Sequence, residues 1–253
     1  MVLPPQSYKD IFFTLENDIA IITINRPEKL NAIRLQTYHD IIGALKEADA
    51  SNDCKCIVIT GGNNTFTTGN DLTDLVGDRA KDVMAAVQSI FDTVSGLKKP
   101  FIAAVEGIAV GIGTTILLHC DLAVASDKTR FRLPFVNLGV SPEGGASVLL
   151  PRAIGLKTAN ELLLTGRFFT AEEAFTWGLI NKITNQGGSL NAAMKYAAII
   201  ADQPLEAVLA TKNILRKNQS VNIPETVAGE LDIFLELAQS KQTQERIKKI
   251  TRS

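Results

Sequence analysis

The residues with the most chemical promise lie in "GVSPEGGAS", Gly139 to Ser147, where Glu143 sits in an apolar setting before a glycine pair. Ser-Pro-Glu also reads as a helix start, with Ser141 as N-cap, Pro142 at N1 and Glu143 at N2. Glu143 is therefore either a charge that complements a helix dipole or an acid–base group. An apolar pocket would raise its pKa, and a helix N-terminus would lower it. Two glycine-rich turns could supply a partner for such a base: "FTTGNDL", Phe66 to Leu72, and "GIAVGIGTT", Gly107 to Thr115. Glycine frees the backbone to aim N–H groups into a cleft, and two N–H groups converging on one oxygen form an oxyanion hole. Each turn taken alone is equally a close approach of strand and helix.

Other chemistries lack their residues. The chain holds only two histidines, His39 and His119, in no metal-ligand spacing, and both are assigned structural roles. There is no G-x-S-x-G elbow and no G-x-x-x-x-G-K-[ST] loop. "GIAVGIG" lacks the third glycine and the acidic partner of a dinucleotide fingerprint. Cys54, Cys56 and Cys120 are odd in number and read as reduced, buried thiols. A net charge of −1 argues against nucleic acid and anionic membranes as partners.

The elements that must position these residues alternate along 253 positions. "IFFTLE" and "IAIITIN" read as strands joined by an Asn17-Asp18 hairpin turn. Apolar spacing predicts helices over about 35–50 and 79–97, and strands at 56–60, 101–105 and 122–126. "GIAVGIG" reads as a turn, "TTILLHC" as a buried helix and "RFRLPF", 130–135, as an extended piece. Helical segments follow at about 146–153, 157–165 and 171–177, and 189–250 is almost wholly helical in pattern. The apolar stretch 101–125 is broken by Glu106, His119, Asp121 and three glycines, so it is not a membrane span. Alternation predicts a sheet-based α/β core, and the tail predicts a docking or oligomerisation element. "MVLPPQSYKD" carries no targeting pattern and "KKITRS" no peroxisomal address, which predicts a cytoplasmic protein.

Taken together the segments are more specific. "INRPEKLNAI", "FTTGNDL", "PFIAAVEGIAVGIGTT", "CDLAVASDKTRFRLPFVNLGVSPEGGAS", "LPRAIGLKTANELLLTGRFFTAEEAFTWGLINKI" and "AAIIADQPLEAVLATKNIL" follow one another in the order of the crotonase (enoyl-CoA hydratase/isomerase) superfamily, which the chain resembles over about residues 10 to 217. The resemblance implies a spiral of ββα units over 1–188. It also implies a C-terminal helical region, 189–253, that builds a homotrimer or a dimer of trimers. It implies an acyl-CoA thioester substrate and no cofactor or metal, coenzyme A being part of the substrate.

Carried over position by position, the resemblance gives the oxyanion-hole N–H groups to Asn70 and Ile112. It gives the wall that receives coenzyme A to Lys29, Leu30, Ala32, Thr68, Asp71, Leu72 and Gly113, with Lys29 near phosphate. Hydratases of the superfamily place two glutamates at positions held here by Thr115 and Phe135. "TGNDL" with "SPEG" resembles the monofunctional, peroxisomal-type Δ3,Δ2-enoyl-CoA isomerases, in which the glutamate of "SPEG" is the base. That implies an isomerase of unsaturated acyl chains in fatty-acid β-oxidation, with Glu143 catalytic. Another crotonase-type reaction, hydration included, and a non-catalytic acyl-CoA-binding protein are the alternatives.

Overall fold

The computed structural model describes residues 8–75, 79–217 and 222–251. The readings of "MVLPPQSYKD" and "KKITRS" as address-free ends include 1–7 and 252–253, which lie outside the described residues.

The chain opens with β1 (Ile11–Glu16) and β2 (Ile19–Ile24), antiparallel across a turn in which Asn17 and Asp18 take φ of 51° and 64°. That left-handed pair is what a two-residue hairpin of this twist requires. Then come α1 (Leu35–Ala50), β3 (Cys56–Gly61), α2 (Arg79–Gly96), β4 (Phe101–Val105), β5 (Ile108–Val110) and α3 (Ile112–Thr115). A 3-10 turn (Ile116–His119) leads to β6 (Leu122–Ser126), β7 (Arg130–Arg132), α4 (Phe135–Leu138), α5 (Ala146–Ile154) and α6 (Leu156–Thr165). After β8 (Phe168–Thr170), α7 (Ala171–Thr176) and β9 (Lys182–Thr184), the chain is helical: α8 (Ser189–Ala201), α9 (Leu205–Lys217), α10 (Ile223–Gln239) and α11 (Lys241–Thr251).

The strands form a six-stranded sheet in the order β1-β2-β3-β4-β6-β9, parallel from β2 onward, and a three-stranded sheet β5-β7-β8. β4 is buried along its whole length. A parallel strand covered on both faces needs such an unbroken apolar run, which is how "FIAAV" and "CIVIT" read. One face of the large sheet packs on Ile41, Leu45, Val87, Ile90 and Phe91 of α1 and α2. The other face, with Val58, Ile102 and Val124, meets Ala192, Ala193, Ala197 and Ala201 of α8. A stripe of alanines lets that helix lie close on the strands. The expected α/β crotonase-type architecture is thus present.

Three local expectations need correction. Part of the "GIAVGIG" turn is β5: Ile108 and Val110 are β-branched, and Ala109 pairs with Phe131 in a parallel ladder to β7. "RFRLPF" stays extended only through Arg132, and Phe135 opens the short helix α4. The helix read over about 146–153 does begin at Ala146, so the alternative start with Ser141 as N-cap is not formed. Gly144 and Gly145 take φ of 74° and 72°, so the backbone turns left-handed between Glu143 and the helix. Glu143 is therefore not an N2 charge. It sits on a bend that aims its side chain inward.

Candidate active site

Three pieces of chain meet at the site. The segment 67–71 is stitched on both sides. Ile33 N–H donates to Gly69 O and Asp71 N–H to Ile33 O, both at 2.8 Å. On the other side Thr67 N–H donates to Ile108 O at 3.0 Å and Val110 N–H to Thr67 O at 3.1 Å. The "TTGND" turn is thereby held against the start of α3. The fit is tight: a Cβ on Gly69, whose φ is 87°, would lie 2.6 Å from Val110 O and 3.8 Å from Gly111 Cα. Asn70 and Ile112 each follow one of these glycines. Their backbone N–H groups donate to no protein acceptor among the hydrogen bonds of the described residues. The Asn70 side chain is fixed separately, because the buried Tyr38 hydroxyl of α1 donates to Asn70 Oδ1.

Glu143 is 1% exposed. Thr115 Oγ1 donates to Glu143 Oε1 at 2.7 Å, and Oε2 is buried with no hydrogen-bond partner in the protein. Burial pushes the carboxyl up to about 8. The Thr115 hydroxyl opposes the rise, and the charge of Glu230 adds to it. Between the two directions open from sequence, burial wins. The helix end that could have lowered the pKa is occupied by another group: Glu230 of α10 accepts from Gly145 N–H at 2.7 Å and from Ser147 N–H at 2.9 Å. A carboxylate of this kind, with one oxygen anchored and one free, can take and return a proton near neutral pH.

The support behind Glu143 is layered. His119 Nε2 meets Gly144 O at 2.7 Å. A carbonyl can only accept, so Nε2 carries the proton, and Nδ1 accepts from the Ser95 hydroxyl at 3.3 Å. Burial lowers the His119 pKa to about 4, so the ring is neutral. Phe91 of α2 packs on it with centroids 4.9 Å apart and the rings tilted by 41°. The same ring fills the space over Gly144, where a Cβ would come within 2.5 Å of Phe91 Cζ. Phe135, at one hydratase position, is buried and apolar, and Thr115, at the other, serves Glu143. Replacing Thr115 by valine removes a charge-assisted hydrogen bond, typically about 1.5–3 kcal/mol. The expected result is an acid limb of kcat/KM raised by about one pH unit and a rate at pH 7 about tenfold lower. An unchanged profile would show that the hydroxyl does not tune the base.

The remaining candidates lie on and around the segments 29–32 and 68–72. Leu30 and Asn31 take φ of 47° and 57°, after a short 3-10 turn, Pro27–Lys29. Leu30 is 55% exposed, and Lys29 is exposed beside it. Thr68 N–H and Oγ1 both donate to Leu30 O at 3.3 Å, which brings Thr68, Leu30 and Ala32 to one side of the turn. Asn31 holds this arrangement: its side chain accepts from Arg26 N–H at 2.8 Å and donates to Gly62 O and Thr65 O. Asp71 accepts from Thr73 Oγ1 at 2.7 Å and pairs with Arg26 at 3.4 Å. Burial would raise its pKa, but those hydrogen bonds and the guanidinium hold it below the usual carboxylate range. Leu72 is half-buried, and Gly113 is buried against Thr67. A cavity of about 950 Å³ opens between the 3-10 turn Ile116–His119, α2 and α8–α10, with His119 in its wall. Glu143, Asn70 and Ile112 are not among its lining residues.

The arrangement is that of one buried carboxyl near two touching backbone turns. The sequence profile described as enoyl-CoA hydratase/isomerase matches residues 14–251. The chain belongs to that family. It is 36% identical over 220 residues to enoyl-CoA delta isomerase 2 of Rattus norvegicus, covering 85% of this chain and 56% of that protein. It is 31% identical over 232 residues to crotonyl-CoA hydratase of Syntrophomonas wolfei subsp. wolfei, covering 90% and 89%. Among solved structures, enoyl-CoA hydratase/isomerase from Pseudoalteromonas atlantica T6c superposes with a TM-score of 0.88 at 31% identity, over 96% of this chain and 97% of that one. Family members thus carry both isomerase and hydratase names.

Sequence reasoning did not find Tyr38, His119 or Glu230 as parts of the site. Tyr38 and Glu230 looked like ordinary positions of amphipathic helices, and only the tertiary fold brings them to Asn70 and to the Glu143 loop. His119 was rightly assigned a structural role, but its target, Gly144 O, was invisible. No membrane-spanning helix, long and apolar enough, occurs among the described residues.

Proposed function

We propose that the chain is a Δ3,Δ2-enoyl-CoA isomerase. In a 3-enoyl thioester the C2 proton is acidified, because the resulting dienolate delocalises onto the thioester oxygen. The Glu143 carboxylate removes that proton while the backbone N–H groups of Asn70 and Ile112 hold the oxyanion. Glu143 then returns the proton to C4, giving the conjugated 2-enoyl-CoA. The base is regenerated, and no water enters the reaction.

The observation that carries this reading is that neither hydratase position holds an acid beside Glu143. Glu143 is buried with one oxygen free, while Thr115 donates to it and Phe135 offers no acid. Hydration needs a second group to orient and activate water, and a phenyl ring cannot do that. Lys29, Leu30, Ala32, Thr68, Asp71, Leu72 and Gly113 are the proposed coenzyme A-binding residues, with Asp71 acting through the Arg26–Thr73 network that shapes the turn. The same reading takes the protein as a homotrimer or a dimer of trimers. Exposed Ile199, Ile214, Leu215 and Ile233 of the C-terminal helices offer apolar surface for such contacts.

The test uses two substrates. With 3-enoyl-CoA, conjugated product is expected to accumulate. With 2-enoyl-CoA in water, 3-hydroxyacyl-CoA is expected to form at least about 10²-fold more slowly, the worth of one positioned acid–base group. Fast hydration of 2-enoyl-CoA with 3-enoyl-CoA inert would make the protein a hydratase.

A further inference from the structure

Glu230 reaches the Glu143 loop from α10, more than eighty residues away in sequence. Oε2 accepts from Gly145 N–H at 2.7 Å, and Oε1 from Ser147 N–H at 2.9 Å and from Ser147 Oγ at 2.5 Å. The Ser141 hydroxyl donates to the backbone carbonyl of the same residue at 3.4 Å. Four contacts thus tie residues on both sides of Glu143 to one position of the C-terminal helices. Both carboxylate oxygens of Glu230 are occupied as acceptors, which is the pattern of the ionised form. The position is 8% exposed, a costly place for a carboxylate without such a set of donors.

We infer that Glu230 is a positioning residue for the reaction: it clamps the loop that carries Glu143 and keeps a fixed negative charge beside the base. The inference rests on Glu143 being that base. Without the clamp, the donors at the start of α5 would be free to turn toward Glu143. They would stabilise its charged form and weaken it as a base. The titratable groups that face the loop are Tyr38 of α1, His119 of the 3-10 turn and Glu230. Burial keeps the Tyr38 phenol protonated and the His119 ring neutral. Burial also raises the Glu230 pKa, and the Ser147 hydroxyl and the N–H groups of Ser147, Gly145 and Ala146 oppose that rise by favouring its charged form. Its charge raises the Glu143 pKa, in keeping with that geometry.

The experiment follows turnover of 3-enoyl-CoA from pH 5 to 10 in Glu230→Gln, Glu230→Asp and Glu143→Gln. Glutamine keeps the length but presents an N–H₂ where a donor already points. Glu230→Gln is expected to lower kcat about tenfold at the alkaline plateau, with KM within about twofold. Its acid limb in kcat/KM is expected to move down by half a pH unit or more. Glu230→Asp keeps the charge but shortens the reach, so its kcat falls while its acid limb stays with the wild type. A purely structural role would lower the melting temperature and leave both acid limbs in place, which would overturn the inference. Should Glu230→Gln not fold, full turnover in a folded Glu230→Asp would overturn it equally. If Glu143→Gln is inactive but Glu230→Gln titrates like the wild type, this inference alone fails. If Glu143→Gln is active, the base assignment fails and takes the clamp with it.

Discussion

Glu143→Gln is expected to lower kcat for 3-enoyl-CoA by about 10²–10⁴-fold, the contribution of a positioned acid–base group. KM should change little, because the amide matches the carboxyl in size and can still accept from Thr115. Stability should respond in the opposite sense, and only at high pH. The folded-state pKa of Glu143 is raised to about 8, above its ordinary value. The folded protein therefore holds a proton that the unfolded chain gives up between about pH 4.5 and 8. The protonated side chain's stabilisation is complete below that window and is lost as pH rises through about 8. Above it the wild type carries a buried charge, and Glu143→Gln does not. The variant should be more stable by a few kcal/mol at pH 9, the gap closing toward pH 5. Turnover and thermal melting at the two pH values check both halves. A variant that turns over at the wild-type rate, or that melts no higher at pH 9, would remove Glu143 from the role of buried base.

The second large effect is expected from Gly69→Ala. The added methyl meets two obstacles: a φ of 87°, which L side chains avoid, and Val110 O at 2.6 Å. To make room, the "TTGND" turn must move away from the start of α3. That separates Asn70 N–H from Ile112 N–H without touching Glu143. Loss of one oxyanion-hole donor typically costs about 10²–10³ in kcat. A similar fall is expected here, together with a destabilisation of about 1–3 kcal/mol from the strained backbone. A control separates the two contributions. Thr68→Ala removes only the 3.3 Å hydroxyl bond to Leu30 O on the surface of the same turn. It should leave kcat within about threefold of the wild type. If Gly69→Ala folds and keeps wild-type kcat, the two turns do not form the hole.

Much of this was legible because it is local. The hairpin at Asn17-Asp18, the helix over 35–50 and the buried strands announce themselves through neighbours in sequence, and each forms where expected. The motifs around Asn70, Ile112 and Glu143 were legible for a different reason, their order along the chain. What could not be read was reach across the fold. Ser-Pro-Glu satisfies every local rule for a helix start, yet the glycine pair bends the chain and the helix begins at Ala146. The α5 N-terminus takes its acidic partner from α10 and not from its own first turn. Likewise the turn that "GIAVGIG" suggested is partly a strand, because "RFR" lies alongside it. In each case the deciding group comes from a segment that no short window contains.

The span between the Glu143 loop and Glu230 has a consequence for synthesis. Gly145 and Ser147 meet Glu230 across 85 and 83 residues. At ribosomal rates of about 5–20 residues per second, several seconds pass between the translation of the loop and that of its partner. When that interval begins, five of the six strands of the large sheet, all but β9, and both glycine turns have already been made. The nascent chain therefore has its backbone donors before it has a fixed base. On the proposed reading, a helix translated late, α10, fixes a base whose partners were made early.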